Sequence, residues 1–188
     1  MDFRTTLEAL TPIISQRSLD TTPVFQYIEL YTDPDGNITG ALATDRYVLA
    51  RVGESGDAAA YINPVQAKQL LAQLKATVFA SPMLDREAGT ILGIPVTMPD
   101  DIPGQYPSSV ARLLSDAESA EPSELPLGTG LSLPVMELVV KVVKPLNRGK
   151  SARYRKNDLG LRLEAHGNVI LTHIDDLTFI VMPTRLHD

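Results

Sequence analysis

Seven basic side chains lie between Lys141 and Lys156 (Lys141, Lys144, Arg148, Lys150, Arg153, Arg155 and Lys156), and no acid interrupts them. Ammonium and guanidinium groups in such a strip can contact phosphates, which positions a nucleic acid without reading its sequence. The same run also fits a solvated loop after a helix, and charge alone does not separate the two. Lys68 and Lys75, seven residues apart, add two cations on one helical stripe. His173, Asp175 and Asp176 offer a different chemistry, because imidazole and carboxylates suit several divalent ions. His173 and Asp175 share a strand face while Asp176 falls beside a hairpin turn, so the group reads as a surface turn. The sequence has no glycine-rich phosphate loop, no Gly-x-Ser-x-Gly elbow and no His-Glu-x-x-His helix. With no cysteine in the chain, disulfides, thiolate metal sites and a thiol nucleophile are all excluded. The expectation is a protein that binds rather than catalyses, with no cofactor and no metal.

The chain has 188 residues and a formal net charge of -6, from 17 Lys and Arg against 23 Asp and Glu. Hydrophobic residues make up 44%, enough for a real core, and a body of this size buries roughly 70% of its unfolded surface. No apolar run approaches the ~18–20 residues of a membrane span, and Met1-Asp2-Phe3-Arg4 is not a signal-peptide start. The cytoplasm is the expected compartment. Charge is unevenly placed. Between Asp100 and Glu124 six acids (Asp100, Asp101, Asp116, Glu118, Glu121, Glu124) face Arg112 alone. An acidic chain can therefore still carry one positive strip.

These side chains must be held by a recurring unit, a helix followed by strands. The first helix is expected from Thr5, where Thr5-x-x-Glu8 forms a capping box ahead of Leu7, Leu10, Ile13 and Ile14, with Pro12 kinking or shortening it. Strands follow at Val24–Thr32, Ile38–Ala43 and Tyr47–Val52, with a turn at Asp33–Gly36. The second helix has Asn63 as cap and Pro64 at its first position, and its apolar face is Ala67, Leu70, Leu71 and Leu74. Short strands are expected near Thr77–Ala80, Thr90–Leu92 and Val96–Met98. The third helix repeats the opening at Pro134, buries Leu138, Val139, Val142, Val143 and Leu146, and projects Lys141 and Lys144 together. Strands at Leu159–Ala165, Val169–Ile174 and Thr178–Met182 complete that unit. The acidic, aperiodic stretch 115–126 reads as a linker. It divides a complete two-unit domain (1–114) from a half domain of one unit (127–188).

Three segments carry a family resemblance. Ala43-Thr44-Asp45-Arg46-Tyr47-Val48-Leu49-Ala50 resembles the Ala-Thr-Asp-Gly-His-Arg-Leu-Ala motif in the middle domain of the bacterial DNA polymerase III sliding clamp. Gly104-Gln105-Tyr106-Pro107, followed by Val110-Ala111-Arg112-Leu113-Leu114, resembles the Phe-Pro segment that ends that domain. Phe179-Ile180-Val181-Met182-Pro183-Thr184-Arg185-Leu186 resembles the clamp's Val-Met-Pro-Met-Arg-Leu ending. The three occur in the family's order, and the helix–strand units fit between them. Two departures are plain: Arg46-Tyr47-Val48 stands where the family has Gly-His-Arg, and Thr184 replaces the second Met. The chain is also short, as in an abbreviated clamp of the kind a phage would encode.

The resemblance implies an α+β DNA-clamp fold of repeated helix-plus-strands units, with sheets outside and helices lining a ring around duplex DNA. Lys68, Lys75, Lys141, Lys144, Arg148, Lys150, Arg153, Arg155 and Lys156 would then face the phosphates. It also implies a hydrophobic pocket for peptides of a DNA polymerase, a clamp loader and other clamp-binding proteins. By motif position its walls would be Thr44, Arg46, Tyr47, Val48, Leu49, Pro107, Arg112, Ile180, Val181, Met182, Pro183, Arg185 and Leu186. Family rings close with twelve units, so three units per chain imply a tetramer, with the half domain completed by a neighbour's sheet edge. The alternative function is a clamp-like adaptor or decoy that binds replication proteins without encircling DNA.

Overall fold

The structure, a computed structural model, describes residues 1–15, 23–76, 82–102, 104, 106–124, 129–147, 164–166 and 169–185. In chain order the elements are α1 (Phe3–Ser15), β1 (Ile28–Thr32), β2 (Ile38–Thr44), β3 (Val48–Gly53), β4 (Ala60–Ile62) and α2 (Pro64–Ala76). Three short strands follow: β5 (Leu84–Asp85), β6 (Thr90–Ile91) and β7 (Ile94–Pro95). Next come α3 (Ser108–Ser119), β8 (Pro122–Ser123), β9 (Thr129–Gly130) and α4 (Leu133–Val143). The described chain ends with β10 (Glu164–His166), β11 (Val169–Ile174), β12 (Leu177–Val181) and β13 (Thr184–Arg185).

Local signals set most of the helix ends. Asn63 Oδ1 accepts from the amides of Val65 and Gln66, each at 2.9 Å, and Gln66 Oε1 accepts the Asn63 amide in return. This reciprocal capping box starts α2 one residue before Pro64. The cap of α1 differs from the expected Thr5–Glu8 box. Asp2 takes the role, accepting the Thr5 amide at 2.9 Å and the Thr5 hydroxyl at 2.8 Å, while Glu8 pairs with Arg4 at 3.2 Å. Burial works against the Asp2 carboxylate, but those bonds from Thr5 outweigh it and hold its pKa below the usual value. Pro12 lies inside α1, which continues to Ser15.

Eight antiparallel strands form one sheet in the order β4-β1-β2-β3-β12-β11-β10-β8. Helices α1, α2 and α4 cover one face, with α1 between the other two. The core on that side joins Leu7, Leu10, Ile13, Leu70, Leu138 and Val142 to the inward strand residues Ile28, Leu30, Val48, Val181 and Phe179. Alanines at 41, 43 and 50, all fully buried, let α1 lie close to the strands. The opposite face carries α3 alone among the described helices. Val110, Leu114 and Ala117 pack there on Tyr31, Leu42, Leu49, Val169, Leu171 and Ile180. Because side chains alternate along a strand, each of β1, β3 and β12 contributes to both cores. That is why Leu30-Tyr31, Val48-Leu49-Ala50 and Phe179-Ile180-Val181 are apolar in succession.

Two expectations about organisation are corrected. Residues 115–124 are not an aperiodic linker, and 125–126 of the expected stretch lie outside the described residues. Val110, Leu114 and Ala117, at i, i+4 and i+7, make α3 amphipathic, and a boundary at 114 falls inside it. The next residues form β8, whose Pro122 and Ser123 pair with His166 and Ala165 of β10. Nor does the third unit wait for a neighbour's sheet edge. β12 pairs with β3 of the same chain over five residues, so the first and third units share one sheet, while the second forms the small β5-β6-β7 sheet. The strands expected near Thr77–Ala80, and the first part of Leu159–Ala165, lie outside the described residues.

Candidate functional site

The turn joining β2 to β3 is built by the side chains of Thr44 and Asp45. Asp45 Oδ1 accepts the amides of Tyr47 at 3.0 Å and Val48 at 2.8 Å, and Thr44 Oγ1 accepts the Arg46 amide at 3.1 Å. Both residues are nearly buried, so a short polar side chain at each position is a structural need. Arg46 at the tip has φ 81, a left-handed conformation that favours glycine. The turn presents Arg46 and Tyr47 outward. The Arg46 guanidinium lies 5.2 Å from the Phe25 ring centroid, and Tyr47 is 45% exposed.

Strand pairing brings two remote segments of the chain together at this turn. Leu49 stands opposite Ile180 and Val48 opposite Val181, and the Met182 amide donates to the Tyr47 carbonyl at 2.7 Å. Segments more than 130 positions apart thus form one seam. Beside it runs a groove of about 310 Å³ lined by Phe25, Thr44, Arg46, Leu49, Val110, Arg112, Leu113 and Asp116, with Ser109. Four of the expected site residues (Thr44, Arg46, Leu49, Arg112) meet in this groove. Met182 packs partly buried against the same apolar cluster, and Ile180 lies in its floor. Pro107 lines the neighbouring cleft. Pro183 is half-buried, Arg185 stands in β13 opposite Thr129, and Leu186 lies outside the described residues.

Val48 and Val181 are corrected. Both are fully buried in the core under α1 and α4, on the face away from the groove. A contiguous motif read as one wall must split this way, because successive strand residues point to opposite faces. The sequence reading also missed Phe25, Ser109, Val110, Leu113 and Asp116 as lining residues. The helical spacing of Val110, Leu114 and Ala117 would have revealed α3 and with it the last four. Phe25 carries no local signal.

A larger cleft of about 560 Å³ opens between α3 and β1–β3, with Glu29, Tyr31, Arg51, Tyr106 and Glu118 on its walls. Burial pushes the Glu29 carboxyl above the usual carboxylate range, against hydrogen bonds from the Tyr31 and Tyr61 hydroxyls. Burial and the charge of Glu29 push Tyr61 up to about 12 and raise Tyr31 further. Arg51 Nη2 reaches Glu118 on α3 at 2.5 Å and Thr178 Oγ1 at 3.3 Å. The site offers an apolar floor, aromatic edges and charged rims.

Of the expected phosphate-facing groups, Lys68 and Lys75 on α2 and Lys141 and Lys144 at the end of α4 are exposed. Arg148, Lys150, Arg153, Arg155 and Lys156 lie outside the described residues. The exposed side of α4 also carries Leu133, Met136 and Val140, which are 70%, 49% and 61% exposed. His173 Nδ1 lies 3.2 Å from Thr178 Oγ1, Asp175 takes φ 53 in the β11–β12 turn, and no metal-holding group of three occurs among the described residues. No described helix is long and apolar enough to cross a membrane.

Neither a protein-family model nor a curated protein matches the sequence. Solved structures do. The chain is similar to the DNA polymerase III beta subunit of Thermotoga maritima, with a TM-score of 0.55 at 12% identity, over 98% of this chain and 63% of that one. It is similar to the DNA polymerase III subunit beta sliding clamp of Bartonella birtlesii, with a TM-score of 0.54 at 12% identity, over 99% and 63%. The beta subunit from Borrelia burgdorferi gives 0.53 at 12% identity, over 99% and 62%. The chain has the sliding-clamp fold, and it spans about 63% of the length of the first clamp chains it matches.

Proposed function

We propose that this chain is a non-enzymatic processivity clamp that surrounds duplex DNA without sequence preference and tethers a polymerase through short peptides. The observation that carries this reading is the β3–β12 seam. It sets Thr44, Arg46 and Leu49, which line one groove with an arginine rim, beside Ile180 and Met182 of a remote segment, which belong to the apolar cluster that holds Leu49. Apolar anchors beside charged rims suit a linear peptide rather than a reacting small molecule. The clamp fold supports the same reading, as do Lys68, Lys75, Lys141 and Lys144 exposed on the helices covering one face of the sheet. The phosphate contacts of such lysines are weak, salt-sensitive and blind to sequence, which is what a sliding ring needs. Acids on the α3 side (Asp116, Glu118, Glu121) keep the polyanion away from the other face.

Counting the three units whose helices α1, α2 and α4 share one face of the sheet, and setting aside α3 on the other face, a twelve-unit ring takes four chains, a tetramer. A heterologous contact repeated with closure produces such a ring. The second reading, an adaptor that keeps the peptide groove but does not encircle DNA, is favoured by one observation: Leu133, Met136 and Val140 give the exposed side of α4 an apolar stripe. Native mass spectrometry combined with retention on nicked circular and linear DNA separates the two. A tetramer retained on circles and lost from linear ends is the expected result. A stable monomer, or equal loss from both DNAs, refutes the ring.

A further inference from the structure

Glu29 is only 8% exposed, and it stands on the outer face of β1 without a counter-charge. Cross-strand pairing explains why. One row on that face runs Tyr61, Glu29, Leu42, Arg51, Thr178, each opposite the next on β4, β1, β2, β3 and β12. Strands lie about 4.8 Å apart, so Leu42 keeps the Glu29 and Arg51 backbones roughly 10 Å from each other. Arg51 is also engaged elsewhere: its Nη1 donates to Ser55, and its Nη2 to Glu118 and Thr178. Glu29 is left with the hydroxyls of Tyr31 and Tyr61, and no cation pairs with it among the described residues. A carboxylate has about four acceptor sites, so half stay unfilled, and a buried charge without a partner is costly. This carboxyl lines the cleft of about 560 Å³ between α3 and β1–β3. We propose that the cleft is a second binding site, separate from the groove beside Arg46, and that it takes the guanidinium of an arginine presented by a partner polypeptide.

Three properties select that ligand. The first is charge: the lining holds two carboxyls, Glu29 and Glu118, against the single guanidinium of Arg51, which Glu118 already pairs. The second is shape. A guanidinium is a planar fork that matches two carboxylate oxygens and stacks on aromatic faces such as Tyr31 and Tyr106, whereas an ammonium is a compact, strongly hydrated point charge. Its three-carbon stem needs apolar cover, which Leu42 and Leu114 supply. The third is size. Ligand sites span roughly 300–1,000 Å³, and this cleft exceeds a single side chain, so the residues flanking the arginine enter with it. Ser108 and Ser115, exposed on α3, offer hydroxyls to their backbone. The helix keeps its place throughout. The cleft runs along its Ala111, Ser115 and Glu118 side, and the groove along its Arg112, Leu113 and Asp116 side.

Pairing with a cation needs the ionised carboxyl. Burial raises the Glu29 pKa, so affinity climbs as pH rises through it, and the arriving cation releases a proton. The groups that face Glu29 are the Tyr31, Tyr61 and Tyr106 hydroxyls, which stay protonated because their pKa values are raised, and the Arg51–Glu118 pair.

The test uses the full chain and two probes, Nα-acetyl-arginine amide and its neutral isostere Nα-acetyl-citrulline amide, titrated by NMR at about pH 8, where the carboxyl is ionised. The citrulline probe is expected to bind about tenfold more weakly, the loss of one charged hydrogen-bonding partner. Glu29→Gln should weaken the arginine probe by about the same factor, and so should Ser115→Trp, which narrows the cleft from an exposed position. At about pH 4 the native chain should lose affinity for that probe, while Glu29→Gln should not change. Circular dichroism checks the fold, and Ser115→Trp, altered only at the surface, answers even where Glu29→Gln unfolds. Equal binding of the two probes, undiminished binding by the folded variants, or a preference for spermidine over the arginine probe overturns the proposal. A polymerase clamp-binding peptide should bind the native chain and Glu29→Gln alike, so the groove reading stands or falls separately.

Discussion

Val48 and Leu49 are neighbours in the chain but sit in different cores, which allows a sharp test of the site. Val48 is fully buried beneath α1 and α4, and Leu49 is 3% exposed beneath α3. Val48→Ala removes two carbon groups, about 1.6 kcal/mol of transfer energy, and the residual cavity brings the loss to ~2–3 kcal/mol. Leu49→Ala removes three carbons, but α3 is a single helix that can settle onto the gap. Its loss therefore falls near the low end of the ~2–5 kcal/mol seen for buried leucines, again about 2–3. Against a total stability on the order of 5–15 kcal/mol, both variants stay folded in the cold. Peptide binding must separate them. Leu49 is a groove wall, and losing one apolar anchor raises Kd roughly 10–30-fold; Val48→Ala should change Kd by less than about twofold. Urea unfolding followed by circular dichroism gives the stability match, and anisotropy with a polymerase clamp-binding peptide gives Kd. Equal weakening in both variants, or none in Leu49→Ala, would refute the assignment of faces.

Lys141→Glu combined with Lys144→Glu should weaken DNA retention and reduce the salt slope of log K by about 2, at ~0.9 per phosphate contact, with no change in sequence preference. Unchanged retention in filter binding would mean that this end of α4 does not face DNA. Burial holds the folded pKa of the Glu29 carboxyl above that of an ordinary glutamate, so the folded state holds its proton more tightly than the unfolded chain does. Its contribution is full below that value and falls as pH rises through the folded pKa. Glu29→Gln should remove that fall, read from urea midpoints between about pH 4 and pH 8; a parallel curve for the variant rejects the argument. Arg46 at φ 81 predicts that Arg46→Gly stays within about 1 kcal/mol of the native stability, since relief of strain offsets lost chain entropy. Arg46→Val should cost ~2 kcal/mol by thermal melting, because a β-branched side chain tolerates that backbone poorly.

Much of the architecture was readable before any coordinates. Asn63-Pro64 and Leu133-Pro134 mark helix starts, since the Asn63 cap and the fixed proline φ act within a few residues. The apolar face of α2, the buried face of α4 and the strand sequences of β1, β2, β3, β11 and β12 also announce themselves locally. So does the placement of Lys68, Lys75, Lys141 and Lys144 on exposed sides, because helical periodicity alone keeps them off the buried face. The helix at 108–119 is harder to read locally. Its acids and serines masked a spacing of Val110, Leu114 and Ala117 that was there to be counted.

What tertiary structure alone decided is which strand lies beside which, and hence what the site contains. Five paired residues join β3 to β12, placing Leu49 against Ile180, yet neither strand names its partner, because backbone hydrogen bonds are the same for any antiparallel neighbour. Burial of both faces of this seam, under α1 and α4 on one side and α3 on the other, selects the pairing. That choice sends Val48 and Val181 into one core and Leu49 and Ile180 into the other. It also lays α3 over the groove. Side-chain alternation is a local property of the chain; the identity of the layer waiting on each side is a property of the whole fold.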